Sequence, residues 1–171
     1  IMDKVSAYRN NENFAYLEPL FHNQEEYQEF KERHDRDRVE VLPLEGYEGP
    51  LYLGVDSGST TLKVVLVDKD YNIRYTNYVP NKGDPISLLK DMLTDIYAKM
   101  SDKAYIAGSS ATGYGEELAK NAFCFDHGIV ETMAHFQAAR HFLKDVEFII
   151  DIGGQDIKCF HIKNGVIDDI F

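Results

Sequence analysis

An α/β fold built on a mixed sheet is what residues 51–171 predict, and three observations carry that reading. Strand-length apolar runs joined by tight turns open the segment. Strand and helix patterns then alternate. A second set of hairpins begins near residue 146. The resulting order, βββ-α-β-α-β-α followed by βββ again, describes a ribonuclease-H-like mixed sheet, with the second run beginning the same fold anew.

The elements follow in chain order. Asn10-Asn11-Glu12-Asn13 is a polar, loop-like stretch. Asn23 is placed to cap a helix over Gln24 to about Arg33, with Tyr27 and Phe30 on one face. Val39–Leu44 alternates weakly and reads as an edge strand, since Pro43 cannot sit inside a ladder. Glu45–Pro50 is a connector, so residues 1–50 form an appendage. Leu51–Asp56, Leu62–Asp68 and Ile73–Val79 are three strands whose short connections make them an antiparallel meander. Asp84-Pro85 is a capped helix start, and Ile86, Leu89, Leu93, Ile96 and Met100 line one face of the helix that follows.

Ala104–Gly108 is a fourth strand, with a short helix through Ala122 after it. Gly128–Val130 is a brief fifth strand, and Glu131 starts a helix to about Leu143. Val146–Asp151 and Asp156–Ile162 are two more strands around the turn Ile152–Gln155. Lys163-Asn164-Gly165 is a strong hairpin signal leading to a strand from Val166. The expected divisions are an extension over 1–50, a first lobe over 51–145, and the start of a second lobe over 146–171. Because the chain starts at Ile1 and stops in a strand, it reads as a piece of a larger protein.

Composition narrows the function. The formal net charge is −11, with 18 basic against 29 acidic residues and no Lys/Arg cluster, which argues against nucleic-acid binding. The longest apolar runs, such as Val64–Val67, are strand-sized and far short of the ~20 residues that span a bilayer, so no membrane role is expected. Two cysteines, Cys124 and Cys159, give no CxxC pair, which suits a reducing cytoplasm.

Two segments share one chemical design. In Asp56-Ser57-Gly58-Ser59-Thr60-Thr61-Leu62-Lys63, a carboxylate ends a strand and a hydroxyl-rich turn follows. Asp151-Ile152-Gly153-Gly154-Gln155-Asp156-Ile157-Lys158 repeats the plan with glycines in place of hydroxyls. Glycines let backbone N–H groups wrap phosphate oxygens, and Ser and Thr hydroxyls add donors. A carboxylate beside them is placed to hold Mg²⁺ or its water shell. A lone hairpin of this kind is ordinarily just a hairpin; two, each opening a βββ unit, read as a phosphate clamp. An acidic protein gripping ATP needs a cation between the like charges.

Leu53–Lys63, Ala111-Thr112-Gly113-Tyr114-Gly115, Glu131-Thr132-Met133-Ala134-His135 and Asp151–Lys158 together resemble the BadF/BadG/BcrA/BcrD ATPase family, in family order from about Leu51 to Phe171. This family contains activators of 2-hydroxyacyl-CoA dehydratases and ATPase subunits of benzoyl-CoA reductases. The resemblance implies the actin, hexokinase and heat-shock-chaperone superfold. It implies Asp56 on the Mg²⁺ side, with Ser57, Gly58, Ser59, Thr60 and Thr61 cradling β- and γ-phosphates and Lys63 close by. Gly153, Gly154 and Gln155 would form the second phosphate loop, with Asp151 near the metal or the attacking water. Glu131 is the candidate for water positioning, against a plain helix-start carboxylate. His135 shares its helix face and reads as a satisfied histidine more readily than as a metal ligand.

The resemblance further implies a homodimer bridged by one [4Fe–4S] cluster and a CoA-thioester dehydratase or reductase component as partner. The glycine-rich cysteine motif that carries the cluster is not in these residues. Cys124 and Cys159 read instead as small buried hydrophobes. The full-length protein is expected to couple ATP hydrolysis to low-potential electron transfer, and this piece alone is expected to be inactive. Two alternatives stand beside this: a sugar- or acid-kinase-like phosphotransferase, for which Asp156 is the nearby candidate base, and a non-catalytic regulatory module.

Overall fold

The computed structural model describes residues 16–154 and 156–171. The turn residue Gln155 and the polar stretch at residues 10–13 lie outside the described residues. Two compact units divide at Val39/Glu40.

In the first unit, α1 (Gln24–Asp35) is capped by Asn23, whose Oδ1 accepts the Glu26 N–H at 2.9 Å. The Phe21 ring meets Tyr27 and Phe30 edge-on and tilted, with centroids 5.4 and 5.2 Å away. No residue of α1 is buried, in keeping with its run of Glu, Lys and Arg.

The second unit holds the sheets. β1 (Gly49–Ser57), β2 (Thr61–Asp68) and β3 (Ile73–Pro80) form the expected antiparallel meander. β4 (Ala104–Thr112) and β5 (His127–Gly128) add in parallel on the other side, giving the order β3-β2-β1-β4-β5. A parallel partner for β1 requires a crossover, and α2 (Pro85–Lys99) supplies it. Asp84 caps α2 by accepting the Ser87 N–H at 3.1 Å, with Pro85 at the first helical position. α3 (Glu116–Phe123) crosses from β4 to β5.

Strand alternation sorts the sheet's faces. Leu51, Leu53 and Val55 of β1 and Leu62, Val64 and Leu66 of β2 are buried against Leu89, Met92 and Ile96 of α2 and Ala119 of α3. The opposite face carries Asp56, Lys63 and Val65. Residues 40–50, read from sequence as part of the appendage, share this core through Leu44, 2% exposed. The edge strand expected over Val39–Leu44 reduces to one parallel bridge, Val41 to Ile73, because Pro43 has no N–H to extend the ladder.

α4 (Glu131–Phe142) leads into β6 (Phe148–Ile152), β7 (Ile157–Lys163) and β8 (Val166–Ile170), an antiparallel sheet in the order β6-β7-β8. Phe136 of α4 packs with Val146, Phe160 and Ile162 in a second, smaller core. Asn164 and Gly165 both have positive φ, 54° and 74°, as a type I′ hairpin needs. Cys124 corrects the expectation of burial: it is exposed, because it closes α3 in the left-handed conformation with φ 55°. Cys159 is half-buried on β7.

Candidate nucleotide-phosphate site

The two look-alike hairpins open onto one cleft. A cavity of about 650 Å³ is lined by Asp56, Gly58, Ser59, Thr60, Thr61 and Lys63 from the first, and by Asp151, Gly153, Gly154, Asp156 and Lys158 from the second. Glu131 and His135, from the first turns of α4, and the loop after β4 complete its wall. The hairpins approach closely: a β-carbon on Gly154 would stand 2.9 Å from Thr60 Oγ1.

The first hairpin is fixed from several sides. Gly58 N–H donates to the Thr61 carbonyl at 3.0 Å and closes the turn. Asn81, 8% exposed, donates its Nδ2 hydrogens to the carbonyls of Gly58 and Ser59, each at 2.8 Å. The Asn81 N–H reaches the Thr60 carbonyl at 2.9 Å. With these carbonyls turned back onto Asn81, the loop's hydroxyls and remaining N–H groups are left for a ligand.

Asp56 ends β1 with its two oxygens in different states. Oδ2 accepts from Lys63 Nζ at 2.6 Å, directly across the β1–β2 ladder. Oδ1 is buried and has no hydrogen-bond partner. Gly113, with φ 88°, makes room beside it, since a β-carbon there would stand 2.6 Å from Asp56 Oδ1 and 2.8 Å from the Ser57 carbonyl. A buried carboxylate oxygen left without a donor is the kind of group a hydrated cation satisfies.

The second hairpin repeats the register with different bonding. Asp151 lies opposite Lys158 as Asp56 lies opposite Lys63. Asp151 Oδ2 pairs with His135 Nδ1 at 2.7 Å, however, and Lys158 Nζ goes to Asp156 at 2.9 Å, with Glu131 at 3.6 Å. Its bond to Asp156 raises the Lys158 pKa above the ordinary lysine value and keeps it charged. Glu131, His135 and Asp151 bring one ligand atom each within 4.8 Å of one another.

The structure gathers Asp56, Gly58, Ser59, Thr60, Thr61, Lys63, Glu131, Asp151, Gly153 and Gly154 around one cavity. Ser57 is placed differently. It follows Leu51, Leu53 and Val55 on the inward face, is 2% exposed and lies outside the cavity wall. Its part is structural, its carbonyl accepting the Gly115 N–H at 2.7 Å. Lys63, its side chain 48% exposed, is an ion-pair partner of Asp56. His135 is satisfied, as expected, by Asp151. Asn81 was not singled out from the sequence; its signal was an Asn opening the Asn-Lys-Gly turn before a capped helix. Lys158 lies within the second motif, where sequence alone assigns it no role.

The residues present suit a magnesium-bound polyphosphate. Five carboxylates line the cavity (Asp56, Glu116, Glu131, Asp151 and Asp156) against two lysines. Bare polyphosphate would be repelled there, whereas a cation-neutralised one would not. Neither cysteine lines the cavity: Cys124 is exposed after α3 and Cys159 is half-buried on β7.

A meander, a parallel crossover and a facing second hairpin define a protein of the actin and hexokinase superfold. The chain belongs to the BadF/BadG/BcrA/BcrD ATPase family, whose sequence model matches residues 53–170. It is 30% identical over 118 residues to the (R)-2-hydroxyglutaryl-CoA dehydratase activating ATPase of Acidaminococcus fermentans, covering 67% of this chain and 44% of that protein. The crystal structure of the A. fermentans (R)-2-hydroxyglutaryl-CoA dehydratase component A superposes with a TM-score of 0.59 at 27% identity, over 71% of this chain and 46% of that one. The activator of the 2-hydroxyisocaproyl-CoA dehydratase from Clostridium difficile with bound ADPNP gives the same TM-score at 25% identity, over 71% and 44%. The chain therefore spans less than half the length of these relatives.

Proposed function

We propose that this chain is the phosphate-gripping part of an ATPase whose full-length form activates a CoA-thioester dehydratase or reductase, coupling ATP hydrolysis to low-potential electron transfer. The observation that carries the reading is the convergence of the two Asp-to-Gly hairpins on one cavity of about 650 Å³. Bound ADPNP in the C. difficile activator supports ATP as the ligand.

Each group has a role in this reading. Ser59, Thr60 and Thr61, with the Gly58, Gly153 and Gly154 backbone, grip the β- and γ-phosphates, and Gln155 joins the second loop. Lys63 compensates charge while fixing Asp56. Asp56, through its unpartnered Oδ1, would serve the metal side, and Asp151 would serve either the metal or the attacking water. Bound Mg²⁺ supplies the charge compensation that phosphoryl transfer needs. Glu131 orients the water from the start of α4, since phosphoryl transfer draws on positioning and charge compensation more than on covalent chemistry.

The protein acts in the cytoplasm as a homodimer in this reading, and its [4Fe–4S] cluster belongs to the full-length family rather than to Cys124 or Cys159. No helix among the described residues is long and apolar enough to cross a membrane.

Calorimetry of the intact protein with Mg²⁺-ATP tests the site, with Asp56→Ala expected to abolish binding. Anaerobic assays of ATP hydrolysis and of dehydratase activation test the coupling. Unimpaired binding by Asp56→Ala would remove the clamp.

A further inference from the structure

The two hairpins share a register but not a bonding pattern. Lys63 is bound to the aspartate across from it at 2.6 Å, which fixes both groups. Lys158 has the same cross-strand neighbour in Asp151, but His135 has taken that carboxylate at 2.7 Å. Lys158 therefore leans over the cleft onto Asp156, whose side chain is 58% exposed, and towards Glu131 at a separation too long for a hydrogen bond. Exposed pairs of this sort are weakly held, because water competes for both partners. The Lys158 side chain is itself 29% exposed and lines the cavity. A lysine so placed can exchange an exposed carboxylate for a phosphate oxygen at little cost and gain a charge-assisted bond.

We infer that Lys158 is the residue that distinguishes a nucleoside triphosphate from a diphosphate, moving from Asp156 and Glu131 to the terminal phosphate, and that His135 keeps it available by occupying Asp151. This rests on the cleft being the nucleotide site and adds a specificity-determining residue to it. The exchange also draws the Lys158 cation away from Glu131, the carboxylate 3.6 Å from it. A diphosphate, lacking the terminal group, leaves Lys158 on Asp156.

The test compares Mg²⁺-ATP and Mg²⁺-ADP binding to the intact protein by calorimetry, for wild type and Lys158→Gln. Loss of one charge-assisted phosphate contact raises the ATP dissociation constant about tenfold and leaves that for ADP within about twofold. The exposed Lys163→Gln, at the far end of β7, is expected to change neither. Equal weakening of both nucleotides, or of neither, overturns the inference. A second measurement needs no variant: amine acetylation of the wild-type protein, read by mass spectrometry, is expected to be blocked at Lys158 by Mg²⁺-ATP but not by Mg²⁺-ADP. Equal labelling with the two nucleotides overturns it independently of folding. Absence of binding to the wild type would instead fail the nucleotide reading itself, so the two failures are told apart.

Discussion

Gly115 donates its N–H to the carbonyl of Ser57 at 2.7 Å, tying the loop after β4 to the end of β1. The contact has no room for a side chain, because a β-carbon on Gly115 would collide with the Ser57 hydroxyl. Gly113, two residues earlier, is packed as closely against Asp56 and Ser57. The Ala111–Gly115 motif thus works as a buttress: it holds Asp56 from behind, while the hairpin faces the cleft.

Replacing Gly113 with alanine is expected to cost stability and nucleotide binding together. The residue has φ 88°, and forcing a β-carbon into that conformation costs on the order of 1–2 kcal/mol before any collision is counted. The collision is with the Asp56 carboxylate and with the Ser57 backbone, and the backbone cannot swing aside. Gly165→Ala is the control, with φ 74° and nothing within 4 Å of the added carbon. Thermal unfolding should show the larger loss for Gly113→Ala, and calorimetry should show weaker Mg²⁺-ATP binding for that variant alone. Equal losses would mean that the approach to Asp56 is looser than the distances indicate.

Asn81 makes a comparable case on the other side of the hairpin. Its side chain is buried and donates to two carbonyls of the phosphate loop while accepting the Gly83 N–H at 3.0 Å. Asn81→Ala strands those carbonyls, at a cost of about 1–3 kcal/mol for buried unpaired groups. Asn81→Asp, nearly the same size, replaces the donors with acceptors and is expected to be at least as damaging. Both variants should lower the melting temperature and weaken Mg²⁺-ATP binding. A loop that binds normally in Asn81→Asp would show that its carbonyls need no anchor.

Asp68 sets an acid limit that is independent of the cleft. Burial pushes its pKa up, but bonds from Asn72, Arg74 and the Asp70 and Asn72 N–H groups outweigh it and bring the value down to about 2. A carboxylate with a lowered native pKa adds stability above its unfolded value, near 4, and loses it as pH falls towards 2. The difference from the ordinary value corresponds to about 2 kcal/mol at neutral pH. Asp68→Asn should lose roughly that amount at pH 7 in denaturant unfolding. The gap between wild type and variant should close between about pH 4 and pH 2. A constant gap across that range would place the effect in packing rather than charge.

Most of the architecture was legible because it rests on periodicity. The alternation in Leu51–Ser57 and the 3.6-residue spacing in α2 are statements about which face is buried, and the core follows them. The same alternation put Ser57 inward with Val55; its hydroxyl-rich neighbourhood drew it into the phosphate loop instead. Asn81 and Lys158 were illegible for a different reason. Their roles depend on partners distant in sequence: Asn81 on Gly58, 23 residues away, and Lys158 on His135 having claimed Asp151. Spacing along the chain carries no record of such choices among competing partners.

Magnesium dependence is the sharpest consequence of the cleft's charge. Five carboxylates and two lysines leave it negative before any polyphosphate arrives. Two like charges 4 Å apart at an effective dielectric constant of about 20 repel by about 4 kcal/mol. A divalent cation held by Asp56 would offset that repulsion, and the unpartnered Asp56 Oδ1 is the oxygen that would hold it. Chelation of divalent ions should therefore weaken ATP binding at least about a hundredfold, corresponding to nearly 3 kcal/mol. Asp56→Asn removes one of the repelling charges, so its residual ATP binding should depend much less steeply on magnesium. The measurement is ATP affinity across a magnesium titration for both proteins. Affinity for ATP that is unchanged by chelation would show that Lys63 and Lys158 alone neutralise the phosphates and that Asp56 serves only to orient Lys63.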